Sequence, residues 1–381
     1  MKKVLFDLSV CQPIGNSKFH GGGVYGYIVF EALANKYPND IMAYYDGCRY
    51  LPEIIKSIIH NNNVCVKTVQ EKSILELYQD KEFTSIYSSV WSKDYYTLLK
   101  YNVPIIATIH GLRVLEMNKD SYESIYVRNL RDFFKVQIKK TRIFKLIQKK
   151  YHNSLQNIFS NKHIKFVTVS EHSKASIKYY YPNVDSSKIK VFYSPNTSIS
   201  INNSQENQEK YYLIVSANRW LKNAYRAILA LDNIFQNQKD FFGDVIVTGI
   251  TENSKLFGGL KNRDRFSSRG YMERDELENL YKNAYALIYP SLNEGFGYPP
   301  IEAMKYGVPV IASSFASISE ICGNAPLYVN PYSIDEIGMR ILELEDPHIY
   351  NLKKKLSESQ YAKVKHRQEE DLVKLIDYIM T

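Results

Sequence analysis

Two glutamates in the last third of the chain bracket a segment rich in glycine and proline. Glu294 and Glu302 belong to YPSLNEGFGYPPIEAMKYGVPVIAS, in which Gly295 and Gly297 follow a predicted strand and Pro299–Pro300 begin a predicted helix. The free N–H groups and positive end of such a helix bind anions, and a diphosphate fits there. Glu302 is expected in the first helical turn. Because carboxylates accept hydrogen bonds from sugar hydroxyls, the segment predicts a nucleotide-sugar site.

The order of short motifs around these glutamates resembles the retaining glycosyltransferases of family four, which share the GT-B fold. EGFGYPPIEAM, GVPVIAS and SISEICG follow one another, and Glu294 and Glu302 have the spacing of that family's E-x7-E motif. The upstream MERDELENLYKNAYALIYPSLNEGFG is also similar, so the resemblance is dense over residues 212–331. It implies transfer of a hexose-type sugar from a nucleoside-diphosphate donor, with uridine or guanosine as its base, to a glycan or lipid-linked glycan.

The resemblance also implies roles for single residues. Glu294 would bind hydroxyls of the donor sugar, and Glu302 would bind the donor ribose. The family's basic pair corresponds to Arg219 and Lys222 in SANRWLKN, and this pair would neutralise the charge that develops on the departing diphosphate. The remaining donor-binding residues that the resemblance implies are Asn218, Gly295, Phe296 and Gly297.

In the N-terminal half, two further motifs are similar to those of the family. HGGGVYGY, which contains Gly22 and Gly23, resembles the glycine-rich first loop that approaches the donor phosphate. IATIHG ends a predicted strand at His110, where family members place a histidine near the reacting sugar. The implied catalytic residues are therefore His110, Arg219, Lys222 and Glu294. Glu320 falls on the family's SxxE position, although its residue type would equally suit a helix cap.

The basic residues concentrate in one segment. Residues 128–152 contain nine Lys or Arg against a single acid, Asp132, so this segment carries most of the net charge of +9. Apolar residues recur at roughly helical spacing among them, which is typical of an amphipathic helix on an anionic membrane surface. A solvated charged face is the simpler alternative, and no motif supports nucleic-acid binding. The predicted membrane or acceptor patch comprises Lys135, Lys139, Lys140, Arg142 and Lys149.

Composition excludes several protein classes. The 381 residues contain no run of eighteen apolar residues, so we expect no transmembrane helix. The apolar run after Lys2–Lys3 is short and is interrupted by Asp7, which is not typical of a secretory signal. The four cysteines are far apart and are expected to be reduced, and no residues have metal-ligand spacing. We therefore expect no metal and no cofactor besides the donor substrate. The expected location is cytoplasmic, extending to a peripheral position on the inner membrane face.

Strands and helices must position these residues, and the sequence alternates between short apolar runs and segments of helical periodicity. This pattern predicts an α/β fold of two Rossmann-like domains that face a cleft. The predicted domains are residues 1–200, which would bind the acceptor, and residues 201–350, which would bind the nucleotide sugar. Residues 351–381 are expected to form a helix that returns to the N-terminal domain. The polar stretch 197–210 is typical of a linker. The predicted strands are Val4–Val10, Ile41–Tyr45, Ser85–Ser88, Pro104–Ile109, Ile164–Val169, Ile189–Phe192, Tyr212–Ser216, Asp244–Thr248, Ala286–Tyr289, Val308–Ala312 and Leu327–Val329.

The mechanism that the resemblance implies retains the anomeric configuration. The acceptor attacks the face from which the diphosphate leaves, and a donor phosphate oxygen takes the acceptor's proton. A double displacement, with Glu294 as the nucleophile, is the competing route. Two other functions stay open: a nucleotide-sugar epimerase or phosphorylase of the same fold, and a non-catalytic protein that binds a sugar nucleotide and scaffolds a partner.

Overall fold

The structure is a computed structural model that describes residues 3–13, 21–117, 119–196 and 210–381. It contains two parallel β-sheets, and helices follow most of the strands along the chain. Parallel strands are covered by helices on both faces, which explains why most of these strands are short, continuous apolar runs. The predicted α/β class with two Rossmann-like domains is confirmed.

The first sheet has seven strands in the order β3-β2-β1-β4-β5-β6-β7. The chain leaves β1 toward one edge and returns to the other side of β1 at β4, so the strand order reverses between these two neighbours. The strands of this sheet are β1 (Val4–Asp7), β2 (Ile41–Tyr45), β3 (Cys65–Thr68), β4 (Ser85–Ser88), β5 (Ile105–Ile109), β6 (Ile164–Thr168) and β7 (Ile189–Val191).

The second sheet has six strands in the order β10-β9-β8-β11-β12-β13. Its strand order reverses between β8 and β11, which pair through Ala286 opposite Tyr212 and Leu287 opposite Leu213. The strands of this sheet are β8 (Tyr211–Ile214), β9 (Asp244–Thr248), β10 (Phe266–Arg269), β11 (Ala286–Tyr289), β12 (Val310–Ser313) and β13 (Leu327–Val329).

Fourteen α-helical segments occur among the described residues. The longest, α14, runs through the C-terminal residues that the sequence pattern predicted to be helical. The segments are α1 (Gly21–Lys36), α2 (Glu53–Asn61), α3 (Ile74–Gln79), α4 (Tyr95–Leu98), α5 (Arg113–Glu116), α6 (Leu130–Lys139), α7 (Ile143–Phe159), α8 (Glu171–Tyr180), α9 (Ala224–Asn237), α10 (Arg274–Asn283), α11 (Tyr298–Met304), α12 (Ile318–Cys322), α13 (Ile334–Glu343) and α14 (Pro347–Met380).

The core of the second sheet forms against α9. Ala227, Ile228 and Leu231 on this helix are fully buried and belong to one cluster with Val245 and Ile288 of the sheet. Burying a side chain of the size of leucine or isoleucine contributes about 1.5–3 kcal/mol. The cluster therefore fixes α9 on the sheet, and with it the segment between β8 and α9 that carries Arg219 and Lys222.

Contacts within the chain divide it into two compact units. The first unit comprises residues 1–112, 152–197 and 366–381, and the second comprises residues 113–151 and 198–365. The predicted limits at residues 200 and 350 differ from this division, because residues 113–151 group with the second sheet and α14 contributes to both units. Within the first unit, the end of α14 is held by Asp377, whose Oδ1 accepts from Lys36 at 2.6 Å and from Tyr37 at 2.8 Å.

The predicted strands agree with the structure to within a few residues, but two strands were missed. β3 is partly exposed at one edge of its sheet, and β10 has two serines at an edge of the other sheet. Neither gives the continuous apolar run of a buried parallel strand. Most of the predicted linker, residues 197–209, lies outside the described residues.

The basic segment forms two helices instead of one. α6 ends at Lys139, α7 begins at Ile143, and the intervening turn contains Lys140 and Arg142. Within the described parts of the chain, no helix combines the length and the apolar character needed to cross a lipid bilayer.

Candidate active site

The candidate site lies where the strand order of the second sheet reverses. β8 and β11 are neighbours there, and the segments that follow them carry Lys222 and Glu294, respectively. In open α/β sheets, ligands bind beyond the carboxyl ends of the strands at such a reversal. Because the ends of two neighbouring parallel strands meet at one sheet edge, residues far apart in the chain come together there.

Lys222 and Glu294 form a buried ion pair. The Lys222 ammonium donates to Oε1 of Glu294 at 2.6 Å, and both side chains are almost fully buried. The same oxygen accepts hydrogen bonds from the hydroxyl of Tyr289 at 2.7 Å and from that of Ser291 at 2.6 Å. Lys222 also donates to the Tyr289 hydroxyl. Four side chains thus form one polar cluster inside the second unit.

The cluster keeps Glu294 ionised. Burial alone would raise the pKa of Glu294, but the charge of Lys222 and the hydrogen bonds from Lys222, Ser291 and Tyr289 outweigh it and lower the pKa to about 2. Burial and the charge of Glu294 raise the pKa of Tyr289 far above its usual value, so this hydroxyl remains a neutral donor. An ionised carboxylate held in this way can accept hydrogen bonds but is a poor base.

Serine side chains fix the loop that carries Glu294. The hydroxyl of Ser317 donates to the carbonyl oxygens of Glu294 at 3.0 Å and of Phe296 at 2.9 Å. The backbone N–H of Leu292 donates to the carbonyl oxygen of Leu221 at 2.8 Å, in the turn that carries Lys222. These bonds join the loop after β11 to the turn after β8, so both halves of the ion pair are positioned by the backbone.

The glycine at the start of α11 is required by the backbone. Gly297 has a φ of +100°, a conformation that L side chains rarely adopt, and a Cβ there would lie 2.6 Å from Cδ1 of Ile318. α11 begins at Tyr298, one residue before the paired prolines. The prediction that Glu302 lies in the first turn is therefore wrong, because this earlier start moves Glu302 into the second turn, away from the free N–H groups.

Glu302 is held by an arginine from another helix. Nη1 of Arg274 lies 2.9 Å from Oε1 of Glu302, and Nη2 lies 2.8 Å from Oε1 of the fully buried Glu278. Glu278 also accepts from the Tyr306 hydroxyl at 2.6 Å. Although burial lowers the pKa of Arg274, the charges of Glu302 and Glu278 raise it. The second motif glutamate is thus oriented by a buried charge network rather than by the helix dipole.

Of the other predicted residues of the second unit, Gly295 and Phe296 are buried in the Glu294 loop, whereas Asn218 and Arg219 lie in a more open place. Asn218 and Arg219 are exposed, and the carbonyl oxygen of Asn218 accepts from Arg128 at 3.1 Å. The charge of Arg219 acts on Lys222, whose pKa is lowered by burial and further by this like charge. Arg219 and Lys222 also stand at the two ends of one turn, in which the Lys222 N–H donates to the carbonyl oxygen of Arg219 at 2.9 Å.

His110, Gly22 and Gly23 belong to the first unit. His110 follows β5, its Nε2 lies 2.9 Å from the carbonyl oxygen of Ser89, and its ring meets that of Tyr25 edge-on. Gly22 and Gly23 form the first turn of α1 and not a loop, which corrects the sequence prediction. His20, the first residue of that motif, lies outside the described residues.

The part of the chain that carries the Lys222–Glu294 ion pair matches a known protein family. Residues 197–363 match the family described as Glycosyl transferases group 1. The chain carries a glycosyl transferases group 1 domain. Over 246 residues the chain is 34% identical to the O-antigen chain mannosyltransferase RfbU of Salmonella typhimurium, and the aligned part covers 61% of this chain and 63% of RfbU. The chain thus spans less than two thirds of the length of this relative.

Solved structures resemble the chain over its whole length. A glycosyltransferase from Rickettsia africae matches with a TM-score of 0.66 and 16% identity, covering 100% of this chain and 99% of that one. Anabaena HepE in complex with UDP-glucose matches with a TM-score of 0.62 and 15% identity, covering 100% and 98%. At this identity the likeness shows the fold alone, and it confirms the predicted GT-B type.

Sequence reasoning missed several residues that support the glycosyl transferases group 1 domain. Tyr289 and Ser291 precede Glu294 closely, and their hydroxyls could have been proposed as its donors. Arg274 lies one helical turn before Glu278, so the sequence could have indicated that pair, but not the bond to Glu302. Among the described residues, no group of three or more His, Cys, Asp or Glu could hold a metal ion, and metal independence stays a prediction.

Replacing Lys222 with methionine should destabilise the glycosyl transferases group 1 domain in a pH-dependent way. Removing one partner of a buried ion pair costs about 3–5 kcal/mol. In the wild type the lowered pKa of Glu294 gives stability that is lost only as the pH falls from 4.5 toward about 2. In Lys222→Met, burial raises the pKa of Glu294 above its unfolded value, so the deficit in stability grows between about pH 5 and about pH 8.

Thermal unfolding of both proteins across that range measures the difference. The double variant Lys222→Met/Glu294→Gln is the control, because it lacks the carboxylate and its deficit should not depend on pH. A deficit of Lys222→Met that stays constant with pH would show that Glu294 is not the group responsible.

Proposed function

We propose that the protein is a retaining glycosyltransferase that transfers a hexose, specifically mannose, from a nucleoside-diphosphate donor to a glycan or lipid-linked glycan. The observation that carries the proposal is the buried Lys222–Glu294 pair at the reversal of the second sheet. Glu302, held by Arg274, lies on the helix that follows the Glu294 loop. A cation for a diphosphate and two oriented carboxylates for hydroxyl groups are the groups that a nucleotide sugar requires.

The comparisons support the choice of substrates. RfbU is by name an O-antigen chain mannosyltransferase, and HepE was solved with UDP-glucose. In our proposal the donor is a nucleotide sugar with uridine or guanosine as its base. We propose mannose as the sugar because RfbU, with 34% identity, is a mannosyltransferase by name.

In this proposal each of these residues has a task with the donor bound. The Lys222 ammonium has three N–H donors, of which two go to Glu294 and Tyr289, so the third can donate to a phosphate oxygen. Arg219, three residues before Lys222 in the sequence, would supply a second positive charge to the diphosphate. Together they would stabilise the charge that develops on the leaving diphosphate, without a metal ion. Glu294 would accept from the sugar, and Glu302 from the ribose.

Same-face attack suits Glu294 better than a double displacement. A carboxylate nucleophile needs appreciable basicity, whereas the charge of Lys222 and three hydrogen bonds to Oε1 hold the pKa of Glu294 at about 2. In our proposal the acceptor hydroxyl therefore attacks as the diphosphate leaves. A donor phosphate oxygen takes the proton, and no protein side chain forms a bond to the sugar.

A panel of UDP, GDP, ADP, TDP and CMP should single out the donor base by thermal shift. A ligand at about 100 times its Kd adds about 2.7 kcal/mol of stability, which raises the melting temperature visibly. Glu302→Gln should weaken binding of that nucleotide about tenfold, since a hydrogen bond to a charged group is lost. Asp335→Asn, an exposed change on α13, is the matched control. A panel in which no nucleotide shifts the wild type contradicts the proposal.

Transfer with the donor so identified should retain the anomeric configuration, as read by NMR of the product linkage. It should also continue in EDTA, because the two cations of the protein meet the charge of the diphosphate. An inverted linkage would refute same-face attack, and activity lost in EDTA and restored by Mg²⁺ would refute metal independence. Conversion of the donor sugar without an acceptor would favour an epimerase, and nucleotide binding without any turnover would favour a scaffold.

We also propose that α6, α7 and the turn between them dock on an anionic bilayer. Leu130, Phe134 and Leu146 are 76%, 61% and 66% exposed, which is unusual for large apolar side chains. Lys140 and Arg142 are exposed beside them. Two other predicted patch residues are partly neutralised, because Lys135 pairs with Asp132 at 3.0 Å and Lys139 pairs with Glu123. The remaining apolar and basic groups are the complement of an anionic lipid surface.

Co-sedimentation with vesicles that contain phosphatidylglycerol tests this surface. Each cation near the bilayer contributes about 1 kcal/mol, so Lys140→Glu/Arg142→Glu/Lys149→Glu should weaken binding about a hundredfold or more at low salt. Lys354→Glu/Lys355→Glu/Lys363→Glu on α14 makes the same change in net charge at exposed positions elsewhere and should bind as the wild type does. Equal loss in both triple variants would indicate an effect of overall charge, and no binding of the wild type would refute docking.

A further inference from the structure

A cavity of about 390 Å³ lies in the second unit beside the turn that carries Lys222. It is lined by α6 and by the segment Asn218–Leu221. An adjoining cavity of about 310 Å³ shares part of this lining, including Tyr126 and Arg128. Ligand-binding pockets have volumes of roughly 300–1,000 Å³, so the first cavity alone has the size of a small-ligand site.

The lining of the larger cavity suits a sugar ring. Trp220 and Tyr126 supply aromatic surface, and a pyranose has an apolar C–H face that packs on such rings. Asp132 and Arg128 supply an acceptor and donors for its hydroxyl groups. The ammonium of Lys139, which pairs with the buried Glu123, lies 5.1 Å from the centroid of the Trp220 ring. One face of this aromatic wall therefore lies against a half-buried ion pair.

One short turn separates this cavity from the donor residues. Trp220–Lys222 form a single turn of 3-10 helix, in which Lys222 is buried against Glu294 while Trp220 lines the cavity. Lys222, Glu294 and Glu302 do not line it, whereas Arg219 does. A donor held by Lys222 and Glu294 therefore leaves the cavity available, with Arg219 next to both.

We infer that this cavity binds a sugar ring of the acceptor. The inference rests on the proposed function, since only a transferase needs a second sugar beside its donor. A ring on Trp220 would be two residues along the backbone from the cation that holds the departing diphosphate. The adjoining cavity, which shares lining residues with the first, would accommodate a second ring of the same glycan.

The two tryptophans of the chain allow a direct test by fluorescence. Trp91→Phe leaves Trp220 as the single tryptophan, and Trp220→Phe leaves Trp91 in the first unit. Each variant is titrated with the methyl α-glycosides of mannose, glucose and galactose, with and without the nucleotide that raises the melting temperature. We expect a saturable change in Trp220 emission with at least one glycoside, no change in Trp220→Phe, and no competition by the nucleotide.

A second variant distinguishes binding of the glycoside in the cavity from a change in Trp220 emission that has another cause. Asp132→Ala in the Trp91→Phe background should weaken the glycoside response about tenfold, because a charged acceptor is removed. Asp335→Ala in the same background lies on α13 and is the control. Three results would overturn the inference: no saturable response to any glycoside, an equal response in Trp220→Phe, or displacement of the glycoside by the nucleotide.

If the proposed function is wrong, the experiments give a different result from the one expected if only the sugar site is wrong. In that case no nucleotide raises the melting temperature, while the glycoside titration can be read without any nucleotide. A saturable glycoside response under those conditions would support the sugar site and contradict the transferase.

Discussion

The ion pair between Lys222 and Glu294 is the constraint on which the rest of the site depends. Two charges that leave water lose several kcal/mol of solvation each, and only close pairing with further hydrogen bonds compensates for that loss. The strand order brings the two segments to one edge, the serines fix the loop, and Tyr289 and Ser291 complete the hydrogen bonds of Glu294. Loss of either charged partner would leave the other charge buried and unpaired.

A second charge network repeats this principle at Glu302. Arg274 joins it to the fully buried Glu278, which also accepts from Lys305 at 3.2 Å. Each motif glutamate is therefore held by a cation from a different element of the second unit. Side chains fixed by such partners need little rearrangement when a ligand arrives, which makes binding stronger and more selective.

The sequence was informative where local physics decides the structure. Buried parallel strands appear as short apolar runs, so most strands were predicted, and the glycines and prolines around α11 indicated a loop followed by a helix. The first turn of α1 was mistaken for a loop because glycine disfavours helices. Within that helix, a Cβ on Gly26 would lie 2.3 Å from Sγ of Cys11, so close packing explains at least this glycine.

Pairings between distant parts of the chain could not be predicted. Arg226 forms a bidentate, buried ion pair with Asp120, at 3.0 and 2.7 Å, and thereby ties the segment before α6 to the second sheet. Nothing in the local pattern of either residue indicates the other, so the domain limits expected from the sequence differ from the division that the contacts give.

The turn Trp220–Lys222 has a consequence for how specificity can change. Its three residues are closed by a bond from the Lys222 N–H to the carbonyl oxygen of Arg219 at 2.9 Å and are followed by Asn223 in the left-handed conformation. Asn223 is itself fixed by bonds to the carbonyl oxygens of Pro290 and Pro331. An insertion or deletion here would displace the tryptophan and the lysine together. In laboratory evolution, a change in the length of this turn should therefore disturb both residues at once. New specificities should arise instead by point substitutions that leave the length of the turn unchanged.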